Sequence, residues 1–298
     1  MSQLKVIVNK LNKRTGVPTS FSDKNIVGTV QKGFLFEGVE EKNINNPALG
    51  KWYADRDGHF YWGGGLLVLD IPLGITINLK DIPLNLPHPY RAGIDISHHN
   101  LMRDWTAIAN AGITFTYIKL SEGVGTPDPK AKEHALTAKQ NNLKIGYYHF
   151  CRPDKRNGVT VIAEATAEAD EVLNRLSVIT KPDLPLVLDL EDQQAWDTPL
   201  KPAEYVDWIN TFIKKIKDNS GMECMIYSRK EYLDRKLPSN HGLGNIKLWI
   251  SRYTLSDAKK IEMPIGWKDW AMWQYCEDGM IGTNSKLDIN ILKDQSLF

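Results

Sequence analysis

Two carboxylates, Asp189 and Glu191, stand two residues apart at the end of the apolar run Pro185-Leu-Val-Leu188. Side chains at positions i and i+2 of a strand share one face and lie roughly 6–7 Å apart. Burial and mutual repulsion should raise the pKa of at least one member of the pair. An acid and a base near neutral pH are what glycoside hydrolysis requires. Alternatively, the two carboxylates simply end a strand in solvent.

Polar side chains also end, or lie in, the other short apolar segments after residue 90. If these segments are strands of one β/α barrel, their carboxyl ends meet at the rim where such barrels carry their active sites. We predict that Asp95 and Asp288 join Asp189 and Glu191 there as catalytic candidates. The candidates for substrate binding at the same rim are Glu122, Tyr148, Tyr227, Arg252, Tyr253, Gln274 and Asn290.

Several of these residues also have a structural interpretation. Glu122 could cap the loop that follows it, and Arg252 could pair with a rim carboxylate. Tyrosines inside barrels are often core residues rather than platforms for a sugar ring. His149 follows Tyr148 and would point to the opposite face of its strand, which favours a structural role.

We predict neither a metal nor a cofactor. His98 and His99 are adjacent, so on a strand they would point to opposite faces and would not chelate an ion together. The sequence contains no HExxH motif. The three cysteines include no CxxC pair, which argues against both a disulfide framework and a zinc site.

The segments that would position the rim residues alternate between strands and helices, which predicts a parallel sheet. The strand candidates are Gly93–Ser97, Thr114–Leu120, Leu143–Phe150, Pro185–Glu191, Glu223–Ser228, Lys247–Arg252, Trp270–Tyr275 and Lys286–Ile291. The helix candidates are Asp104–Asn110, Asp128–Asn142, Val159–Leu176 and Pro202–Asn219. Asp128 would be the N-cap of its helix, with Pro129 at the first helical position. After about Arg235 we predict no long helix.

The first 70 residues differ from the rest in pattern. Their short β-rich segments, separated by turn residues, predict a small all-β barrel. The predicted strands are Leu4–Val8, Asn25–Val30, Phe34–Val39, Lys51–Ala54, His59–Trp62 and Leu66–Leu69. Four prolines then predict a linker. We therefore divide the chain into residues 1–70, a Pro-rich linker at 71–90, and a catalytic β/α barrel at 91–298.

At the rim motifs the sequence resembles the glycoside hydrolase family 25 lysozymes, or Chalaropsis-type muramidases, over roughly Ala92–Leu292. The matching segments are Gly93-Ile-Asp-Ile-Ser-His98, Phe115-Thr-Tyr-Ile-Lys-Leu-Ser-Glu-Gly123, Ile145-Gly-Tyr-Tyr-His-Phe150, Pro185-Leu-Val-Leu-Asp-Leu-Glu191, Ile226-Tyr-Ser228, Leu248-Trp-Ile-Ser-Arg-Tyr253, Trp273-Gln-Tyr275 and Leu287-Asp-Ile-Asn290. Eight motifs in the family's order form a specific signal, whereas one Asp-x-Glu would be a weak one.

The resemblance implies a modified TIM-like (β/α)5(β)3 barrel and cleavage of the β-1,4 bond between N-acetylmuramic acid and N-acetylglucosamine. Glu191 resembles the family's general acid/base, and Asp95, Asp189 and Asp288 resemble the acidic residues around it. The family is expected to retain anomeric configuration. Asp189 would orient the substrate's own acetamido group as nucleophile, and a covalent aspartyl intermediate is the open alternative.

The N-terminal segment resembles bacterial SH3-like modules, which implies a wall-binding function. The cues are Val8-Asn-Lys-Leu-Asn-Lys-Arg-Thr-Gly16, Val27-Gly-Thr-Val-Gln-Lys-Gly33, Lys51-Trp-Tyr53 and Tyr61-Trp-Gly63. Lys13 departs from the module's pattern, in which Val is common at this position. A structural cap whose aromatic residues form its own core is the alternative.

The expected partner is the glycan strand of peptidoglycan. We expect the protein to be a monomer. A net charge of +1 gives no electrostatic reason to expect binding to nucleic acid. The sequence contains no run of 18 apolar residues, so we predict no membrane insertion. The first residues lack a signal peptide's apolar stretch. We expect synthesis in the cytoplasm and action on the wall after release by a holin, a secretion machine or lysis, with a secretion machine or immunity protein as possible partners.

Two other functions remain open at this point. The barrel could be a non-catalytic, lectin-like wall-binding protein, although the four acidic residues favour an enzyme. It could also be a chitinase-like hydrolase, but the longer DxxDxDxE signature of such enzymes is absent from the sequence.

Overall fold

A computed structural model describes residues 2–20, 24–42, 44, 47–69, 83, 85–87, 89–193, 197–253, 255 and 257–298. The chain divides into two compact units, Met1–Thr76 and Ile77–Phe298. Most of the stretch 71–90, for which the sequence predicts a linker, lies outside the described residues.

The first unit contains one antiparallel sheet of seven strands in the order β3-β2-β6-β5-β4-β1-β7. The strands are β1 (Ser2–Val6), β2 (Lys10–Arg14), β3 (Ile26–Gln31), β4 (Leu35–Glu40), β5 (Trp52–Asp55), β6 (Phe60–Trp62) and β7 (Leu66–Leu69). The sheet encloses its own core of Leu4, Val6, Leu11, Tyr53, Tyr61 and Leu66.

Strand β2 was not predicted from the sequence because its residues are mostly polar. Its inward positions are Leu11 and Arg14, and Arg14 is buried. The guanidinium is compensated by two acceptors, the main-chain oxygen of Lys24 at 2.9 Å and Oδ1 of Asn25 at 3.0 Å. A buried arginine therefore occupies a core position that an apolar pattern does not reveal.

The second unit is a closed barrel of eight strands, so the predicted barrel is confirmed. Its strands are β8 (Arg91–Ile96), β9 (Ile113–Glu122), β11 (Lys144–Phe150), β12 (Leu186–Asp189), β13 (Cys224–Ser228), β14 (Lys247–Ser251), β15 (Met272–Ile281) and β16 (Asn284–Leu292). Strand β8 pairs with both β9 and β16, which closes the sheet. The short β10 (Thr126–Pro127) pairs with β9 outside the ring.

The last strand is antiparallel to its neighbours, so the predicted parallel sheet does not include β16. Strands β8 to β15 pair in parallel around the ring, whereas β16 is antiparallel to both neighbours. A tight turn at Gly282, with φ of 58°, joins β15 to β16. Strands joined by so short a turn must be antiparallel, because a parallel connection needs a long crossover.

Five helices follow strands on the outside of the barrel. They are α1 (Trp105–Asn110), α2 (Ala131–Gln140), α3 (Val161–Leu176), α4 (Pro202–Ser220) and α5 (Lys230–Lys236). No α-helix follows α5 within the part of the chain that the structure describes, as predicted. No helix among the described residues has the length and apolar character needed to cross a membrane.

Asp128 does not have its predicted place at the start of α2. The helix begins at Ala131, with Lys130 at the N-cap position. Asp128 lies in the preceding turn, where Oδ1 accepts from the main-chain N–H of Lys130 at 2.9 Å and Oδ2 from that of His98 at 2.9 Å. Its carboxylate therefore connects the loop after β8 to the turn before α2.

The barrel interior is filled by aromatic side chains except near one end. The rings of Phe115 and Tyr117 on β9 lie over Gly93 and Gly146, their register partners on the neighbouring strands. Phe298 packs against Phe115 with ring centroids 6.2 Å apart. Beyond these rings a cavity opens toward the carboxyl ends of the parallel strands.

Candidate active site

A cavity of about 220 Å³ opens at the carboxyl ends of the parallel strands. Its lining residues are Asp95, Tyr148, Asp189, Glu191, Tyr227, Trp249, Tyr253, Gln274, Glu277 and Asp288. All of them except Trp249 and Glu277 were predicted at this rim from the sequence. Five of the lining side chains are carboxylic acids, and none of the described lining residues is lysine or arginine.

Strand register brings the acidic residues together from distant parts of the chain. Asp95 on β8 lies directly opposite Asp288 on β16, and Asp189 on β12 lies beside Tyr227 on β13. Glu191 lies past the end of β12, so it does not share a strand face with Asp189 as predicted. Both side chains still reach the cavity, because the chain continues along its rim beyond the strand.

The main chain between the two carboxylates is anchored to β13. The N–H of Leu190 donates to the main-chain oxygen of Tyr227 at 2.9 Å. The carbonyl of Leu190 accepts from Oγ of Ser228, which is fully buried, at 2.6 Å. This double contact positions the flanking Asp189 and Glu191 on rigid backbone.

Asp189 and Glu191 form a hydrogen-bonded carboxyl pair. Burial, followed by the charge of Glu191, raises the pKa of Asp189 well above its usual value. Burial also raises the pKa of Glu191, while the hydrogen bond from Asp189 opposes the rise. The pair therefore retains a proton to higher pH than two separate carboxyl groups in water would. Oδ1 of Asp189 is buried and has no hydrogen-bond partner among the described residues.

Asp95 and Asp288 are cross-strand neighbours with unlike environments. Burial raises the pKa of Asp95 to about 6, and hydrogen bonds from Asn290 and Gln274 oppose the rise. Burial, then the charges of Asp95 and Glu277, raise the pKa of Asp288 to about 9. Both carboxyl groups therefore bind a proton more tightly than in water, and hydrogen bonds from two amides favour the charged form of Asp95.

Three predicted substrate-binding residues do not line the cavity. Glu122 accepts from Nζ of Lys119 at 2.8 Å and from Nη1 of Arg152 at 3.1 Å. The guanidinium of Arg252 reaches Glu231 on α5 at 3.3 Å rather than a rim carboxylate.

The third, Asn290, lies beneath the cavity. It is fully buried, and its Nδ2 donates to Oδ2 of Asp95 at 2.7 Å. It therefore contacts the site's carboxylate and not the open space.

Two lining residues escaped the sequence analysis for different reasons. Trp249 lies mid-strand, and its ring packs on Tyr227 and Tyr117 at centroid distances of 4.8 and 5.1 Å. Nothing in its apolar strand separates it from a core residue. Glu277 lies beyond Tyr275, where the predicted strand ended, whereas β15 continues to Ile281. The length of the β15–β16 hairpin was the missing signal.

The adjacent histidines do not lie on a strand, where they were expected to point to opposite faces. Strand β8 ends at Ile96, so His98 and His99 lie in a turn, with ring centroids 3.9 Å apart. His98 Nδ1 contacts Oδ2 of Asp128 at 2.7 Å. Neither ring lines the cavity.

His149 has a structural position, as predicted. It is fully buried, with Nε2 2.8 Å from Glu168 and Nδ1 3.0 Å from Ser121. Burial lowers its pKa to about 3. The groups of described residues with the side chains to ligate a metal are His149, Cys151 and Glu168, and Asp55, Asp57 and His59. Neither group includes a residue of the cavity.

Comparisons with known proteins agree on one family. The sequence profile described as "Glycosyl hydrolases family 25" matches residues 94–283, a range that includes Asp95, Asp189 and Glu191. Lysozyme M1 of Streptomyces globisporus is 28% identical over 195 residues, which are 64% of this chain and 63% of that protein. The autolytic lysozyme of Clostridium acetobutylicum is 26% identical over 202 residues, or 66% and 54% of the two chains.

A solved structure of another lysozyme is similar in fold to this chain. The crystal structure of the bacterial lysozyme from Streptomyces coelicolor superposes with a TM-score of 0.58 at 26% identity. It covers 67% of this chain and 90% of that one. The chain spans less than two thirds of the length of lysozyme M1 and of the autolytic lysozyme.

Proposed function

The chain belongs to glycosyl hydrolases family 25, and we propose that it cleaves peptidoglycan between N-acetylmuramic acid and N-acetylglucosamine, with Glu191 as general acid/base and net retention. The observation that carries this proposal is that Asp189 and Glu191 line one cavity at the barrel mouth and that both have raised pKa values. Glycosidic cleavage needs a carboxyl group that is protonated near neutral pH and placed beside a second carboxyl.

The two carboxyls of the pair have unequal access to a substrate. Asp189 is 5% exposed, whereas Glu191 is only partly buried. Glu191 is therefore the member that reaches the glycosidic oxygen. Asp189 lines the same cavity, and its carboxylate can accept from the N–H of the substrate's acetamido group. An N–H that donates to Asp189 favours its ionised form and so transfers the proton of the pair to Glu191.

The chemistry then follows in two steps. The acetamido oxygen attacks the anomeric carbon while the bond to the leaving oxygen breaks, and that oxygen takes the proton of Glu191. Asp189, now ionised, stabilises the positive charge on the cyclic intermediate. Glu191 next removes a proton from the water that attacks the anomeric carbon, which restores the acetamido group. Two displacements at one carbon give retention.

Replacing Glu191 with Gln tests the acid assignment. The variant keeps the side-chain shape but cannot transfer a proton, so we expect a loss of about 10²–10⁴-fold in the release of reducing ends from peptidoglycan. Glu231→Gln, an exposed change on α5 outside the cavity lining, should keep wild-type activity. Activity that survives in Glu191→Gln would refute Glu191 as the acid.

Finer assignments of the fold are also proposals. Five helices after the first five strands and none after the last three support a modified (β/α)5(β)3 barrel. The seven-stranded antiparallel unit supports an SH3-like module that binds the cell wall. We propose the domain bounds 1–70, 71–90 and 91–298. Cosedimentation with purified walls tests the module, because loss of residues 1–70 should then weaken binding.

A further inference from the structure

A network of side-chain hydrogen bonds ends on one oxygen of Asp95. Oδ2 accepts from Nε2 of Gln274 at 2.9 Å and from Nδ2 of Asn290 at 2.7 Å. The two amides come from the neighbouring strands β15 and β16, where Gln274 and Asn290 are register partners. Both hydrogen bonds that Asp95 accepts from described residues reach Oδ2, so Oδ1 is left toward the cavity.

The orientation of each amide is fixed from its other end. Oδ1 of Asn290 accepts from the indole N–H of Trp249 at 2.9 Å, and an indole N–H can only donate. Oε1 of Gln274 accepts from the hydroxyls of Tyr227 at 2.6 Å and Tyr253 at 2.7 Å. A flipped Asn290 would place its NH₂ group against the indole N–H. The donors of both amides are therefore directed at Asp95.

We propose that Gln274 and Asn290 are positioning residues that act through Asp95, holding it ionised with Oδ2 turned into the barrel and Oδ1 open toward the sugar. This inference rests on the proposed function. It gives both residues a different task from the sugar contacts predicted from the sequence. Asn290 is fully buried and Gln274 is 3% exposed, so neither offers a substrate much surface.

The surroundings of Asp95 explain why two amide donors are needed. The other ionisable groups that line the cavity are acids or phenols from β11, β12, β13, β15, β16 and the segments after β12 and β14: Tyr148, Asp189, Tyr227, Glu277, Asp288, Glu191 and Tyr253. No lysine or arginine among the described residues lines it. Lys119 on β9, whose charge opposes the rise in the pKa of Asp189, is paired with Glu122. Burial disfavours the charge of Asp95, and the amide N–H groups oppose that effect.

The opposite residue, Asp288, shows what happens without such donors. No side-chain donor to Asp288 is found among the described residues, and its pKa is raised to about 9 by burial and by Asp95. The two cross-strand aspartates thus differ in their hydrogen-bond donors, since Asp95 accepts from two amides. An anion at Asp95 can stabilise positive charge that develops on the sugar in the transition state.

The test uses near-isosteric variants of the full chain, Gln274→Met and Asn290→Leu. Each removes one N–H donor to Oδ2, so the pKa of Asp95 should rise by about one pH unit, the size expected for a hydrogen bond to a charged group. It is measured as the ¹³C carboxyl titration of Asp95, assigned from its loss in Asp95→Asn. The acid limb of the pH profile of kcat/KM should move up by the same amount.

Asn284→Leu is the matched control. Asn284 is another fully buried amide on β16, but it bonds to the main chain of Arg103, Asp104 and Ile281. Its loss should not shift the titration of Asp95. If Gln274→Met and Asn290→Leu prevent folding, Tyr253→Phe replaces them. Its ring is partly exposed, and the change removes one hydroxyl that orients Gln274, so the pKa of Asp95 should rise by a smaller amount.

The titration needs no substrate, so the two proposals fail separately. An unchanged pKa of Asp95 in Gln274→Met, Asn290→Leu and Tyr253→Phe would overturn the positioning assignment even if activity falls. A shifted pKa in a chain that releases no reducing ends would instead refute the proposed function and leave the network's effect on Asp95 in place.

Discussion

Three carboxyl groups at the barrel mouth bind their protons more tightly than they would in water. Asp189, Glu191 and Asp288 all have raised pKa values, and burial is the first cause in each case. Such groups do not stabilise the folded protein. The unfolded chain binds their protons less tightly, so it releases them at a lower pH, and this release favours unfolding. The cost is expected at a site whose function depends on a protonated acid.

Asp288 gives this cost a measurable sign. Its folded pKa of about 9 lies above the usual 3.8, so the folded chain holds an extra proton between pH 4 and 9 and stability falls as pH rises through that window. Asp288→Asn should be stabilising by an amount that grows across the window to at least about 1 kcal/mol, or roughly 2–4 °C in Tm. Thermal unfolding of both proteins from pH 4 to 9 checks this.

The control for that series is Asp269→Asn, which removes an exposed carboxylate outside the cavity. Its stability relative to the wild type should change little across the same pH range. A difference between Asp288→Asn and the wild type that stays constant with pH would contradict the raised pKa of Asp288.

For single residues, the sequence predicted which acids lie together in the cavity. It did not predict which of them accept hydrogen bonds from amide side chains. Asp95 and Asp288 are both an Asp in an apolar strand, and only the cross-strand register shows that Asp95 alone receives two amide donors. Gln274 and Asn290 were recognised as rim residues. The direction of their hydrogen bonds depends on Trp249 and on two tyrosines, which no local pattern connects to them.

At the scale of elements, two strand glycines let large aromatic rings enter the barrel. A Cβ built on Gly93 would lie 2.2 Å from the ring of Phe115, and one on Gly146 would lie 2.3 Å from the ring of Tyr117. Such contacts cannot be accommodated without moving the ring or the strand. These rings fill the barrel below the cavity, so the glycines set the depth of the site.

Gly146→Ala should therefore destabilise the barrel by about 1–3 kcal/mol, the usual cost of overpacking a filled core. Chemical denaturation measures the loss as a lower midpoint. Gly28→Ala on β3 is the control, because a Cβ there meets nothing within 4 Å. Equal stability of Gly146→Ala and the wild type would show that the ring of Tyr117 is free to move.

The sequence predicts the ends of strands well where the apolar runs are long. It predicts the ends and directions of elements poorly where turns determine them. The strands before α3, α4 and α5 were located to within a few residues. The reversed β16 depends on the turn at Gly282, and the start of α2 on contacts of Asp128 with residues 30 positions away. Helix α5 was not located, since its two turns offer little periodicity.

At the scale of the whole molecule, the chain contains two units with separate cores. The catalytic proposal concerns the second unit alone, since every residue that lines the cavity lies within it. The family match falls in the same unit, from residue 94 to 283. The central claim is therefore the bond proposed for this unit, cleavage between N-acetylmuramic acid and N-acetylglucosamine.

Mass spectrometry of peptidoglycan digested by the full chain tests that claim most directly. We predict muropeptides with new reducing ends at N-acetylmuramic acid and no new free amines, and no such products with Glu191→Gln. New reducing ends at N-acetylglucosamine, or free amines from cut peptides, would contradict the proposed cleavage.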